Sequence, residues 1–251
     1  MDKRLPSCYT FAAPREMLKI TTSAARLFLV GAFLLSSCRY PKYANYTAVN
    51  RDFKCLVPFS WNVMTESDGT AFSQANFIGP FHSDFYLGVP SFSVRWYGRY
   101  KPHVTPDHMI EMYASVDDYI KQLLSGVYPK RQMKQPVDDL DLGGGRKAKY
   151  FVVLSPAPVL AGSKHWGLSK DIETKEMVNL RQHAYVIFPM DGGFYVLIYP
   201  ATKDGFHVYE KEFNQLVRSF TPLTNGPQGS VIAQDAAKPA PIAPPPAKKK
   251  K

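Results

Sequence analysis

Asn179–Pro200 reads NLRQHAYVIFPMDGGFYVLIYP, and it decides the architecture. Two apolar runs, Asn179–Pro189 and Phe194–Pro200, flank Asp191-Gly192, the strongest short signal for a β-hairpin. In that register Tyr185, Ile187, Val196 and Ile198 share one face, and Val186, Phe188, Tyr195, Leu197 and Tyr199 share the other. Successive strand residues point to opposite sides of a sheet, so this hairpin has no wet face. An antiparallel hairpin of that kind belongs in the middle of a sheet covered on both sides. The expected class is α+β: an antiparallel β-sheet flanked by helices, an α/β/α sandwich.

Two stretches supply the covering helices. In Phe206–Phe220, the residues Phe206, Tyr209, Phe213, Leu216, Val217 and Phe220 form one apolar stripe, with Glu210, Lys211, Glu212 and Arg218 off it. Ser115 can accept from the free amides of a first helical turn, Asp117 and Asp118 meet its positive end, and Gly126 is the expected left-handed stop. Tyr119, Ile120, Leu123 and Leu124 are its apolar face. A further helical turn is expected from Thr105-Pro106-Asp107 to Tyr113.

Pro136–Pro156 reads as a second hairpin, and its charges fix the register. A loop of Gly143, Gly144 and Gly145 sets Asp141 opposite Lys147, Asp139 opposite Lys149, and Leu140 opposite Ala148. Tyr150–Leu154 is apolar on both faces and should enter the interior. The following loop, from Pro156 through Trp166 to Lys175, is expected to be exposed.

Upstream, Phe53–Pro58 alternates as a strand, a turn follows, and a second strand begins near Asn62. Tyr86–Tyr97 is a long strand interrupted at Gly88-Val89-Pro90. The run into Val57-Pro58-x-x-Trp61, then Phe77-Ile78-Gly79-Pro80, then a strand alternating Phe92, Val94 and Trp96, resembles the opening of PsbP and Mog1-like domains. The terminal hairpin followed by Phe213-x-x-Leu216-Val217-x-Ser219-Phe220 resembles their close. The resemblance spans Phe53–Pro222 and implies a sheet between helices, with no catalytic or binding residue carried over. It also implies docking on a complex, since plant PsbP proteins are extrinsic subunits of the photosystem II oxygen-evolving complex.

Leu27–Leu35 is nine apolar residues, short of the roughly 20 that span a bilayer but within the roughly 7 to 15 of a secretory signal core. Leu35-Ser36-Ser37-Cys38 resembles the lipobox of bacterial lipoproteins. That resemblance implies cleavage after Ser37, a diacylglyceryl anchor on Cys38 and a place in the cell envelope. Translation is expected to start at Met17, after which Lys19 and Arg26 form a positive n-region without acids. Arg39, in the place of the Asp that holds many lipoproteins at the inner membrane, points to an outer membrane where one exists. The expected layout is a signal peptide over 1–37, a lipidated tether over 38–50, one domain over 51–224 and a Pro/Ala/Lys tail over 225–251, too poor in apolar residues to fold.

The net charge of +10 is spread so as to argue against nucleic acid. Residues 1–37 hold five Lys/Arg against two acids, and residues 225–251 hold five Lys against one, leaving only +3 on the folded part. Of the three cysteines, Cys8 lies in the signal and Cys38 is the lipid site. Cys55, alternating with Phe53 and Val57, is expected to be a buried apolar residue.

No Gly-x-Ser-x-Gly elbow or His-Glu-x-x-His helix occurs. Gly143–Lys147 lacks the Gly-Lys-Ser/Thr ending of a phosphate loop and joins two strands. Asp139–Tyr150 lacks the terminal Glu of a calcium loop. His82 and Asp84 are two possible metal ligands, fewer than the three or four of a zinc site. Trp61 and Trp96 are expected in the core, and Trp166 as an exposed partner contact. The function expected is a lipid-anchored, non-catalytic envelope protein docking on a membrane or envelope complex, with no cofactor. The alternatives are a small-ligand or lipid-binding module using a pocket between sheet and helices, and an envelope hydrolase with an acid or histidine in a cleft. An aromatic patch at Trp166 would favour docking, and a deep pocket would favour a ligand.

Overall fold

The computed structural model describes residues 41–81, 89–158, 168–170 and 177–227. In chain order the elements are β1 (Tyr43–Thr47), β2 (Phe53–Pro58), β3 (Asn62–Asp68), β4 (Phe72–Ile78), β5 (Ser91–Gly98), β6 (His103–Val104), β7 (Ile110–Glu111) and α1 (Val116–Gln122). They continue with a π turn (Leu123–Val127), β8 (Gln132–Asp141), β9 (Lys147–Pro158), β10 (Leu168–Lys170), β11 (Met177–Met190), β12 (Gly193–Thr202), α2 (Phe206–Ser219) and β13 (Thr221–Pro222).

The main sheet runs β3-β4-β5-β12-β11-β9-β8, with β10 on β11, and its described pairings are antiparallel. The β11–β12 hairpin sits in its middle, with Tyr185 opposite Ile198 and Phe188 opposite Tyr195. Both faces are buried, as the absence of a wet side requires. One face carries Val94, Trp96, Val186, Leu197 and Tyr199 and is covered by α2 together with a small sheet, β1-β2-β13. The other carries Tyr97, Phe151, Tyr185, Ile187 and Val196 and packs with Tyr119, Ile120 and Tyr128 from α1 and the segment after it.

The expected hairpin registers hold. Asp139 faces Lys149, Leu140 faces Ala148 and Asp141 faces Lys147, with Lys149 Nζ 2.9 Å from Asp139 Oδ1. The three glycines of the turn all have positive φ, between 63° and 78°. Asp141 Oδ1 accepts from the Gly143 amide at 2.8 Å, which accounts for an acid the sequence also offers to calcium. Arg146 donates to the carbonyls of Arg218 (3.1 Å) and Phe220 (2.9 Å), so the basic end of the turn caps the C-terminus of α2.

Five expectations are corrected. Residues 43–47, read as tether, form β1 because Tyr46 packs edge-on against Phe77 (4.9 Å between centroids) and Ala48 is buried. The region after Thr105 is not helical: β6 and β7 form a small hairpin, in which Thr105 Oγ1 accepts from the Met109 amide at 3.1 Å. Gly126 is not a left-handed stop, since α1 gives way to the π turn before it and Tyr128 (φ −122°, ψ 57°) ends the run. The loop read from Pro156 onward is partly strand: β9 reaches Pro158, and β10 pairs with the start of β11. Trp61 is only half-buried, against Phe92 and Tyr209, whereas Trp96 is in the core as expected.

Cys55 is buried, and burial pushes its thiol up to about 12, so it is no nucleophile at neutral pH. At the far end the chain stays packed beyond residue 224. Gly226 and Pro227 are buried, and the Gly226 backbone lies on the Trp96 indole, whose Nε1 donates to the Thr70 carbonyl at 3.1 Å.

Candidate ligand-binding site

Ser37, Cys38, His82, Asp84 and Trp166 all lie outside the described residues. Among the described residues no three His, Cys, Asp or Glu side chains converge as a metal site, and no helix is long and apolar enough to cross a membrane. The chemistry that is in view lies elsewhere, on the sheet face that carries α1.

There a cleft of about 550 Å³ opens between the sheet, the end of α1 with its π turn, and β7. Pockets for small ligands fall in the range of roughly 300 to 1,000 Å³. Its floor is built by strand pairing. Ser93, Arg95 and Tyr97 are alternate residues of β5 and share a face; β12 adds Ile198 and Pro200, and β11 adds His183 and Tyr185. Tyr119, Leu123 and Tyr128 come down from the helical side, and Met109, Ile110 and Glu111 from β7 and its approach.

Arg95 is the unusual residue of this floor. A guanidinium is charged at any physiological pH and has five donors to satisfy. Its Nε is sealed from solvent without a hydrogen-bond partner, and among the described residues no carboxylate lies within ion-pair distance. Its electrostatic neighbours are phenols, Tyr97, Tyr119 and Tyr185, and the Tyr97 hydroxyl accepts a hydrogen bond from it. Among the described residues that line the cleft Glu111 is the one acid, and its charge acts on the neighbouring Tyr113 hydroxyl.

Beside Arg95 lies a polar chain of three. The Tyr128 hydroxyl bonds both His183 Nδ1 and, at 2.6 Å, the Tyr185 hydroxyl. Burial first, and then the Arg181 charge, lowers the His183 imidazole to about 4, so it is neutral at pH 7. When Tyr128 donates to Nδ1 the ring proton is on Nε2, which is itself buried and unpartnered. Arg95 and His183 then present two unsatisfied donors. Leaving a buried polar group unpaired costs about 1 to 3 kcal/mol, more where it is charged. Both of these atoms are closed to the cleft as well as to solvent, so what an anion in the cleft could meet is the remainder of the Arg95 guanidinium. The arrangement shows no nucleophile paired with a base, and His183 lacks the carboxylate that would orient it for proton transfer.

The strand alternation that reveals Phe92, Val94 and Trp96 also places Ser93, Arg95 and Tyr97 together. The available signal was an arginine on the second face of a strand that lies next to the central hairpin.

No protein-family model matches the sequence, and no curated protein matches it. Among solved structures, the chain is similar to cyanobacterial PsbP (CyanoP) from Synechocystis sp. PCC 6803, at 12% identity and a TM-score of 0.41, over 74% of this chain and 95% of that one. It is similar to the Ran-binding protein Mog1p of Saccharomyces cerevisiae, at 8% identity and a TM-score of 0.42, over 72% and 95%. It is also similar to LpqN of Mycobacterium tuberculosis, a protein involved in cell envelope biogenesis, at 13% identity and a TM-score of 0.34, over 76% and 95%. The sandwich itself is defined by the strand order and the two helices described above.

Proposed function

We propose that this chain is a non-catalytic, lipid-anchored envelope protein whose sandwich domain binds a small anionic ligand in the cleft over Arg95. The observation that carries the reading is the Arg95 guanidinium, which lines a 550 Å³ cleft among tyrosines with, among the described residues, no carboxylate at ion-pair distance. A charge met by phenols and by no opposite charge is costly in such surroundings, and an anion in the cleft would neutralise it. The envelope location rests on the apolar run before Cys38 and the lipobox-like residues around it. The docking surface expected at Trp166 lies outside the described residues, and the cleft tips the choice toward ligand binding.

The test is a titration of the full chain with acetate, followed on the Arg95 Nε–H and His183 ring resonances. Saturable shifts, absent in Arg95→Gln, are expected. No saturable response at either residue would reject the reading.

A further inference from the structure

The mouth of the cleft carries information that its floor does not. Met109 and Ile110 stand on one wall and Val127, in the π turn, on the other; they are 67%, 72% and 62% exposed, yet all three line the cleft. Val104, also exposed, is the cross-strand neighbour of Ile110 on the same small hairpin and extends that apolar wall outward. Single exposed apolar residues are ordinary on a protein surface, but large ones gathered at the mouth of one cleft are not. Methionine adds a flexible, polarisable wall that adapts to an irregular partner.

We infer that the ligand is an amphiphilic carboxylate, with its carboxylate on Arg95 and its hydrocarbon chain leaving over Met109, Ile110 and Val127. This rests on the reading of Arg95 as an anion site and adds what the rest of the ligand must be. A charged floor beneath an apolar mouth matches an occupant that is anionic at one end and apolar along the remainder. The cleft is open at this mouth, so its 550 Å³ takes the head of the ligand and the first part of its chain, and the remainder lies along the apolar wall.

The experiment is a series of acetate, hexanoate and decanoate, titrated into the full-length Cys38→Ala chain so that no acyl group attached at Cys38 competes. Affinity should rise by about fourfold per methylene while the chain still finds wall to cover. Met109→Ser combined with Ile110→Ser should flatten that rise, with decanoate losing the most affinity and acetate the least, and Val127→Ser alone should flatten it in part. Arg95→Gln should lose every member of the series. Thermal unfolding of each variant checks that the domain is intact, and these exposed positions leave the core untouched. Equal affinity for acetate and decanoate would overturn the amphiphile while leaving the anion site standing. That result would turn attention to a short anion or to the carboxylate end of a protein partner. Decanoate binding that survives Arg95→Gln would overturn it as well, and Arg95-independent behaviour throughout would overturn the anion site too.

Discussion

The Tyr195 hydroxyl donates to Asp52 Oδ2 at 3.2 Å, joining the centre of the main sheet to the turn between β1 and β2 across 143 positions of sequence. Asp52 is 2% exposed and its second oxygen has no partner, while its carbonyl accepts from Leu223 (2.7 Å) and Thr224 (3.3 Å). The early and late ends of the domain are thus pinned at one residue.

Burial raises the Asp52 carboxyl above its ordinary value. The folded chain then holds that proton more tightly than the unfolded chain, so stability contributed here is present in acid. It is lost as pH rises above about 3.8 and through the folded value. Asp52→Asn keeps an acceptor for Tyr195 and removes the titration. It should gain over the parent between pH 4.5 and pH 7.5 in urea unfolding, whereas Asp52→Ala should lose about 1 to 3 kcal/mol at both. Parallel curves for parent and Asp52→Asn would show that the carboxyl does not titrate in this range.

Gly226 has φ +117°, and a Cβ there would collide with the Trp96 indole. Gly144 also has positive φ (63°), but a Cβ there meets nothing within 4 Å. Gly144→Ala therefore isolates backbone strain, at about 1 kcal/mol, and Gly226→Ala adds overpacking to it, for about 2 to 4 kcal/mol in all. Chemical denaturation of the two variants side by side measures the difference. Equal losses would mean that residues 223–227 lift off Trp96 at little cost.

Glu111 sets the sign of the cleft mouth. Replacing it with Gln removes the one acid among the described residues that line the cleft and should tighten acetate binding by about two- to fivefold, less at high salt. An unchanged affinity would place Glu111 too far from the bound anion to matter.

Much of this was legible in the sequence, for identifiable reasons. Asp191-Gly192 between two runs that are apolar on both faces fixes a central hairpin, and Asp139 and Asp141 find Lys149 and Lys147 in only one register. Strand β1 is hidden in the sequence because its inward residues, Ala44 and Tyr46, are few, with one of them small, and Ala48 just beyond it adds only another small side chain. The short β6–β7 hairpin was hidden because Thr105-Pro106-Asp107 is equally good chemistry for starting a helix and for making a turn. Arg95 was passed over because alternation draws the eye to Phe92, Val94 and Trp96. It becomes visible only once β5 is known to lie against β12, where its other face is covered too.

Cys38→Ala tests the anchor independently of the cleft. The variant should no longer incorporate labelled acyl chains or partition into detergent as the parent does, with acetate binding at Arg95 intact. Recovery in the same membrane fraction with the same detergent dependence would count against lipidation at Cys38.

The pH response of His183 runs opposite to that of Asp52. Its folded value of about 4 lies below the ordinary 6.5, because burial and then Arg181 disfavour the charged ring. As pH falls below about 6.5 the unfolded chain takes up the proton first, so stability drops until the folded ring also protonates near 4. The full effect is on the order of 3 kcal/mol, from the size of the shift. His183→Gln should abolish this acid-side loss, while the parent's ring resonance titrates near 4 by NMR. A midpoint near 6.5 would instead mean that the ring is solvated and that its Nε2 is no buried donor. The same spectra, recorded with saturating acetate, decide whether the bound anion lies near His183: a carboxylate close to the ring must raise its titration.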